Sequence, residues 1–201
     1  MSGIYIHIPF CKQACYYCDF HFSTSLKRKG ELIKALSTEL ILRKDEIKQP
    51  IETIYFGGGT PSLLTTDELQ FLIDEIYDNY KLIADPEITL EANPDDLNSI
   101  KIKELSTTKI NRLSIGIQSF FDDDLHFMNR AHTSREAKEC LSVAKERFDN
   151  ITIDLIYGIP DTSVEKWIRN LETAFGFDVP QFCQISRIKF IKKSVFFIVI
   201  P

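Results

Sequence analysis

The chain has 201 residues, of which 44% are apolar and 26% charged. That is enough for one domain with a buried core. Its 24 basic and 29 acidic residues leave a net charge of −5, which gives no argument for a nucleic-acid partner. No basic region followed by a long apolar run opens the chain, so no secretory signal is expected, and no stretch reaches the ~20 apolar residues needed to cross a bilayer. The five cysteines, an odd number with three of them clustered, point to a reducing cytoplasm rather than to a disulfide scaffold.

In chain order, the first predicted element is a short apolar strand, Ile4–Ile8, stopped by Pro9. Cys11, Cys15 and Cys18 follow within eight residues. Three thiolates this close can face one point, which suits a metal or an iron–sulfur cluster. With His21 they would complete a zinc site. A four-iron cluster would instead have one iron left open, because the next nearby position, Phe20, is not a ligand. A helix is expected over Glu31–Lys44, then a strand over Ile51–Phe56. Gly57-Gly-Gly59-Thr60 comes next. Three glycines mark a turn or a close approach of backbone to ligand, and no Gly-Lys-Ser/Thr follows to make a phosphate loop. Thr65 and Glu68 read as a capping box opening a helix over Asp67–Tyr80, with Leu69, Leu72, Ile73, Ile76, Tyr77 and Tyr80 on one face.

A strand over Ile88–Ala92 carries Glu91 near its end. A helix over Asn98–Ser106 precedes a strand over Arg112–Ile117, with Gln118 just past it. After a helix over Asp122–Met128, Thr133/Glu136 and Thr162/Glu165 repeat the capping signal on either side of the strand Ile151–Tyr157. Within that strand, residues 151, 153, 155 and 157 share one face and Asp154 lies on the other with Thr152 and Ile156. If helices cover the apolar face, Asp154 points inward, where a carboxylate without a partner costs several kcal/mol. Gln181–Ser186 is a weaker sixth strand. Val195–Ile200 is an uncharged β-prone run within an atypical tail, residues 181–201. Cys140 and Cys183 read as small buried residues. Strands alternating with helices predict a parallel sheet covered by helices. An open doubly wound sheet and a barrel fit the pattern equally.

Cys-x3-Cys-x2-Cys is similar to the signature of the radical S-adenosylmethionine (SAM) superfamily. Five words narrow the match: His7-Ile-Pro-Phe-Cys11, Gly57-Gly-Gly-Thr-Pro-Ser62, Glu91-Ala-Asn-Pro94, Arg112-Leu-Ser-Ile-Gly-Ile-Gln-Ser-Phe120 and Asp154-Leu-Ile-Tyr-Gly-Ile-Pro160. Their order resembles that of oxygen-independent coproporphyrinogen III oxidases and of the HemW-type heme chaperones. The oxidases resemble Cys-x3-Cys-x2-Cys-x-Cys, and Phe20 in place of the fourth cysteine looks HemW-like. The resemblance covers roughly residues 3–180, makes residues 1–180 the core domain, and implies an α/β fold, a partial (β/α)6 barrel left incomplete at the C-terminus.

By that resemblance, Cys11, Cys15 and Cys18 hold a [4Fe–4S] cluster whose open iron is chelated by SAM. Tyr5 contacts SAM, and the loop with Gly58, Gly59 and Thr60 meets its amino group. Glu91 binds its sugar or amine, Gln118 and Arg130 its polar parts, and Asp154 and Ile156 line its pocket. Arg130 falls in the family-like word Met128-Asn-Arg-Ala-His132. Lys145-Glu-Arg-Phe-Asp149 looks one glycine short of the usual family turn. The resemblance also implies binding of heme or porphyrin, an electron donor of the flavodoxin or ferredoxin type, and a membrane-bound heme acceptor. Decarboxylation of coproporphyrinogen III is the alternative it leaves open.

Overall fold

The computed structural model describes residues 2–179 and 181–186. Six strands alternate with six helices: β1 (Gly3–Ile8), α1 (Lys29–Arg43), β2 (Ile51–Gly58), α2 (Thr66–Asn79), β3 (Leu82–Ala92), α3 (Ser99–Leu105), β4 (Arg112–Gln118), α4 (Asp122–Phe127), α5 (Ser134–Lys145), β5 (Asn150–Tyr157), α6 (Val164–Gly176) and β6 (Gln181–Ser186). All pairings are parallel, and the strand order is 1-2-3-4-5-6. A doubly wound sheet reverses its order at a switch point. This one never does, so the winding is that of a (β/α)6 barrel, and side chains from β1 and β5 line one cavity. Gln181–Ser186 is a true sixth strand paired along β5. The expectations for residues 187–201, including the run Val195–Ile200, lie outside the described residues.

One periodicity organises the core. Along β1 burial alternates from residue to residue. Ile4, Ile6 and Ile8 pack under the helices, whereas Tyr5 and His7 face the concave side. The same alternation in β5 sends Ile151, Ile153 and Leu155 into the core and Asp154 and Ile156 to the cavity. From α2, Leu69, Leu72, Ile73 and Ile76 are fully enclosed. Burial of such side chains is worth roughly 1.5–3 kcal/mol each.

Helix starts follow local chemistry. Thr65 accepts from the Glu68 amide at 3.1 Å while Glu68 Oε2 accepts from the Thr65 amide at 2.8 Å. Thr133 and Glu136 make the same reciprocal pair. The third expected box is displaced by one residue: Ser163 caps α6 by accepting from the Lys166 amide. Thr162 turns its hydroxyl to Asp124 instead, at 3.4 Å. Thr65→Ala is expected to cost about 1 kcal/mol, read as a lower urea midpoint at unchanged slope.

Two boundaries differ from expectation. β3 begins at Leu82, six residues before Ile88. Its register against β2 shifts between Ile51 and Thr53, and Pro86, which has no N–H to give, falls in that irregularity. The join from α5 to β5 needs no glycine. Arg147 and Phe148 both donate to the Ala144 carbonyl, Phe148 is buried, and no residue from 145 to 149 takes a positive φ. Among the described residues no helix is long and apolar enough to cross a membrane.

Candidate functional site

In parallel barrels the loops after the strands form the site. Here they enclose a cavity of about 420 Å³, within the usual ~300–1,000 Å³ of small-molecule sites. All twelve residues expected from the sequence line it: Tyr5, Cys11, Cys15, Cys18, Gly58, Gly59, Thr60, Glu91, Gln118, Arg130, Asp154 and Ile156.

The cysteine loop follows β1 and is tied at three places. Cys11 donates its amide to the Ser23 carbonyl at 3.1 Å, and Tyr16 donates to the Met128 carbonyl at 3.1 Å. Gln13 Nε2 reaches both oxygens of Asn129, at 2.8 and 2.9 Å. Asn129 Nδ2 returns a bond to the Ala14 carbonyl at 2.8 Å. Tyr17 packs against Leu125, Met128, Ile156 and Ile159, so the loop is seated on an apolar patch as well as bonded to one. Burial raises the pKa of the Cys11 and Cys18 thiols, and repulsion from neighbouring cysteines adds to this. Three thiolates gathered here need a cationic centre to be stable together.

The glycine loop after β2 closes over the cysteine loop. Gly59 donates to the Ile8 carbonyl at 2.9 Å and Thr60 to the Phe10 carbonyl at 2.7 Å. The Thr60 side chain, beside the Cys11 thiol, partly offsets the rise that burial gives its pKa. A Cβ at Gly59 would stand 2.6 Å from the Phe10 carbonyl oxygen, and one at Gly58 would stand 2.6 Å from the His7 ring, in a backbone with φ +113°. Gly59 meets backbone that cannot step aside, so Gly59→Ala is expected to destabilise by about 2–3 kcal/mol or more. Urea denaturation checks this.

Carboxylates hold the far wall. Glu91 accepts from the Tyr55 hydroxyl at 2.7 Å and the Gly58 amide at 3.1 Å, and burial raises its pKa against those two bonds. Asp154 is pushed up to about 7, by burial first and by Glu91 second. The inward orientation expected from strand parity is therefore correct. Tyr5 shares a hydrogen bond with His7 Nδ1 at 3.2 Å and stacks on Tyr55.

Sequence reasoning missed Tyr55, Asn93, Ser114 and Gly116, which also line the cavity. The signal was present. Tyr55 is two residues before Gly57, Ser114 and Gly116 alternate with Gln118, and Asn93 lies in the Glu91–Pro94 word.

Residues in this cavity fit an iron–sulfur cluster with a small polar ligand beside it. Gln118 sits at φ +66°, strained for a residue with a side chain. Its Oε1, and Nε of Arg130, are buried without a partner, which is the state expected of groups shaped for a ligand. His21, which a zinc site would need, is exposed and outside the cavity lining. Among the described residues no three or more His, Cys, Asp or Glu gather closely enough to hold a single ion. The ligands of a cubane bind different irons and stand farther apart.

Comparison with known proteins agrees. "Heme chaperone HemW" of Bacillus subtilis is 37% identical over 192 residues, 94% of this chain and 51% of that protein. A mitochondrial protein of Bos taurus, "Radical S-adenosyl methionine domain-containing protein 1", is 32% identical over 178 residues, 85% of this chain and 39% of that one. The solved structure of coproporphyrinogen III oxidase (HemN) from Escherichia coli, a radical SAM enzyme, superposes with a TM-score of 0.83 at 28% identity, over 92% of this chain and 43% of that chain. The chain spans about half the length, or less, of the curated relatives it matches. The family model described as "Radical SAM superfamily" matches residues 5–174, from the tyrosine of β1 to the last turn of α6, and the chain belongs to that superfamily.

Proposed function

We propose that this chain is the radical SAM core of a HemW-type heme chaperone, acting in a reducing cytoplasm. Cys11, Cys15 and Cys18 would hold a [4Fe–4S] cluster, and SAM would lie in the cavity between Glu91, Gln118 and Asp154. When bound and reduced, the cluster supplies an electron to a sulfonium. The protein's own contribution is placement. Gly59 and Thr60 tie the glycine loop to the end of β1 and to Phe10, beside the cysteine loop. Glu91, fixed by Tyr55 and the Gly58 amide, offers an oriented acceptor for a ligand's amine or hydroxyls. Asp154, poised near neutrality, can hold or accept a proton at its carboxyl. Tyr5 and Tyr55 stack to form an aromatic wall along one side of the cavity. Heme or a porphyrin would be the cargo, passed to a membrane-bound acceptor, with a flavodoxin- or ferredoxin-type protein as electron donor.

The observation that carries this reading over the oxidase one is Phe20. It lines the cavity mouth beside Cys18, at the position where the oxidases resemble a fourth cysteine. Likeness to HemW proteins over most of the chain supports the same choice. The test is anaerobic reconstitution followed by two assays. Iron and sulfide uptake with an EPR signal altered by SAM, tight heme binding and no decarboxylated porphyrin are expected. Decarboxylation of coproporphyrinogen III would overturn the chaperone reading, and a zinc-loaded protein without sulfide would overturn the cluster.

A further inference from the structure

The resemblance assigns Arg130 to the polar parts of SAM, yet most of its N–H donors are already committed elsewhere. Arg130 follows α4, whose end is turned by Asn129 in the left-handed region at φ +55°. Asn129 donates its amide to the His126 carbonyl at 3.0 Å and Arg130 donates to Leu125 at 2.9 Å, a helix stop of the kind asparagine favours. This turn sends the guanidinium back over β4. Nη2 donates to Asn93 Oδ1 at 2.7 Å and to the Gly116 carbonyl at 2.9 Å. Nη1 donates to the Tyr17 hydroxyl at 2.9 Å and to Cys15 Sγ at 3.6 Å. A Cβ at Gly116 would stand 3.4 Å from Nη2 and 2.8 Å from Gln118 Nε2, so the absence of a side chain there lets the guanidinium lie on the strand. The group is buried and joins four segments that are far apart in sequence.

We propose that Arg130 is a positioning residue that acts through Cys15: it clamps the cysteine loop to β4 and, by donating to that sulfur, raises the reduction potential of the iron–sulfur cluster. This rests on the cluster reading above. Hydrogen bonds and positive charge at a ligand sulfur favour the form with the extra electron, and they are among the protein's main levers on potential. A charge-assisted donor in a water-poor site is stronger than a neutral one. The sulfurs of Cys11 and Cys18 receive no such guanidinium contact among the described residues, so the effect is directed at one ligand.

The experiment is a redox titration of the reconstituted chain, followed by EPR, for the wild type, Arg130→Gln and Arg130→Lys. Iron and sulfide content and circular dichroism are measured on each sample. Arg130→Gln is expected to lower the reduced-to-oxidised ratio at fixed potential at least tenfold, about 59 mV for a one-electron couple. Arg130→Lys, which keeps the charge and loses the fork, is expected to fall between. If Arg130→Gln does not hold the cluster, Arg130→Lys decides alone. Equal potentials in wild type and the loaded variants would overturn this inference, and a purely structural clamp would give that result together with lower iron content. A wild type that takes up neither iron nor sulfide would overturn the cluster reading itself.

Discussion

Cys15→Ala is expected to leave the reconstituted chain with iron and sulfide near background, whereas Cys140→Ala keeps both. The two cysteines share a residue type and nothing else. Cys15 is half-buried on the cavity wall, within reach of Arg130. Cys140 is 4% exposed inside α5, packed in the apolar core, where burial pushes its thiol up to about 12. A thiol held protonated in apolar surroundings is a packing group and a poor ligand. A cluster with three protein ligands and an open iron cannot lose a third of its anchoring without dissociating. The fold should tolerate the change, because the loop keeps its bonds from Tyr16, Gln13 and Asn129. Iron analysis and the visible absorbance of the cluster check it, with circular dichroism as control. Equal iron in the wild type and Cys15→Ala would show that these cysteines are not ligands.

Asp154 gives the second large effect. Its carboxyl is raised from 3.8 to about 7, and in the unfolded chain it returns to the ordinary value near 4. Between about pH 4 and 7 the folded protein therefore binds a proton that the unfolded chain has released. Folding is favoured at the low end of that window and loses stability as pH rises through it, then levels off above pH 7. The shift corresponds to an upper figure of about 4 kcal/mol, and about 2 kcal/mol is expected once water in the open cavity is allowed for. Asp154→Asn removes this dependence. The variant should match or exceed the wild type at pH 8 and show a shallower loss between pH 4 and 8, as read by urea denaturation at each pH. Parallel pH profiles for the two proteins would show that Asp154 is paired or hydrated and carries no such penalty. A ligand that brings donors to Asp154 would remove part of the cost, so SAM should stabilise the wild type more at pH 8 than at pH 5.

Local rules reached far in this chain. Short apolar runs bounded by Gly, Pro or Asn located the strands, period-two alternation within β5 sent Asp154 inward, and the capping pairs at Thr65 and Thr133 opened α2 and α5 as expected. They failed where two adjacent residues were equally able to cap a helix. Thr162 and Ser163 both accept hydrogen bonds, and the pull of Asp124 on one left the other as cap. They failed again at Leu82, where β3 carries its proline in extra residues of its own: it advances from Leu82 to Glu87 while β2 advances only from Ile51 to Thr53.

The sequence by itself determined the parallel α/β alternation, the cysteine loop, the glycine turn and the inward face of the strand that carries Asp154, because each is set by spacing within a few residues. Only the tertiary structure decided that the sheet winds in one direction, which the alternation leaves open. It also decided that Arg130 reaches Cys15 across 115 residues of chain. Contacts between strand ends depend on how the whole sheet curls and where each helix stops, and no window of local pattern carries that information.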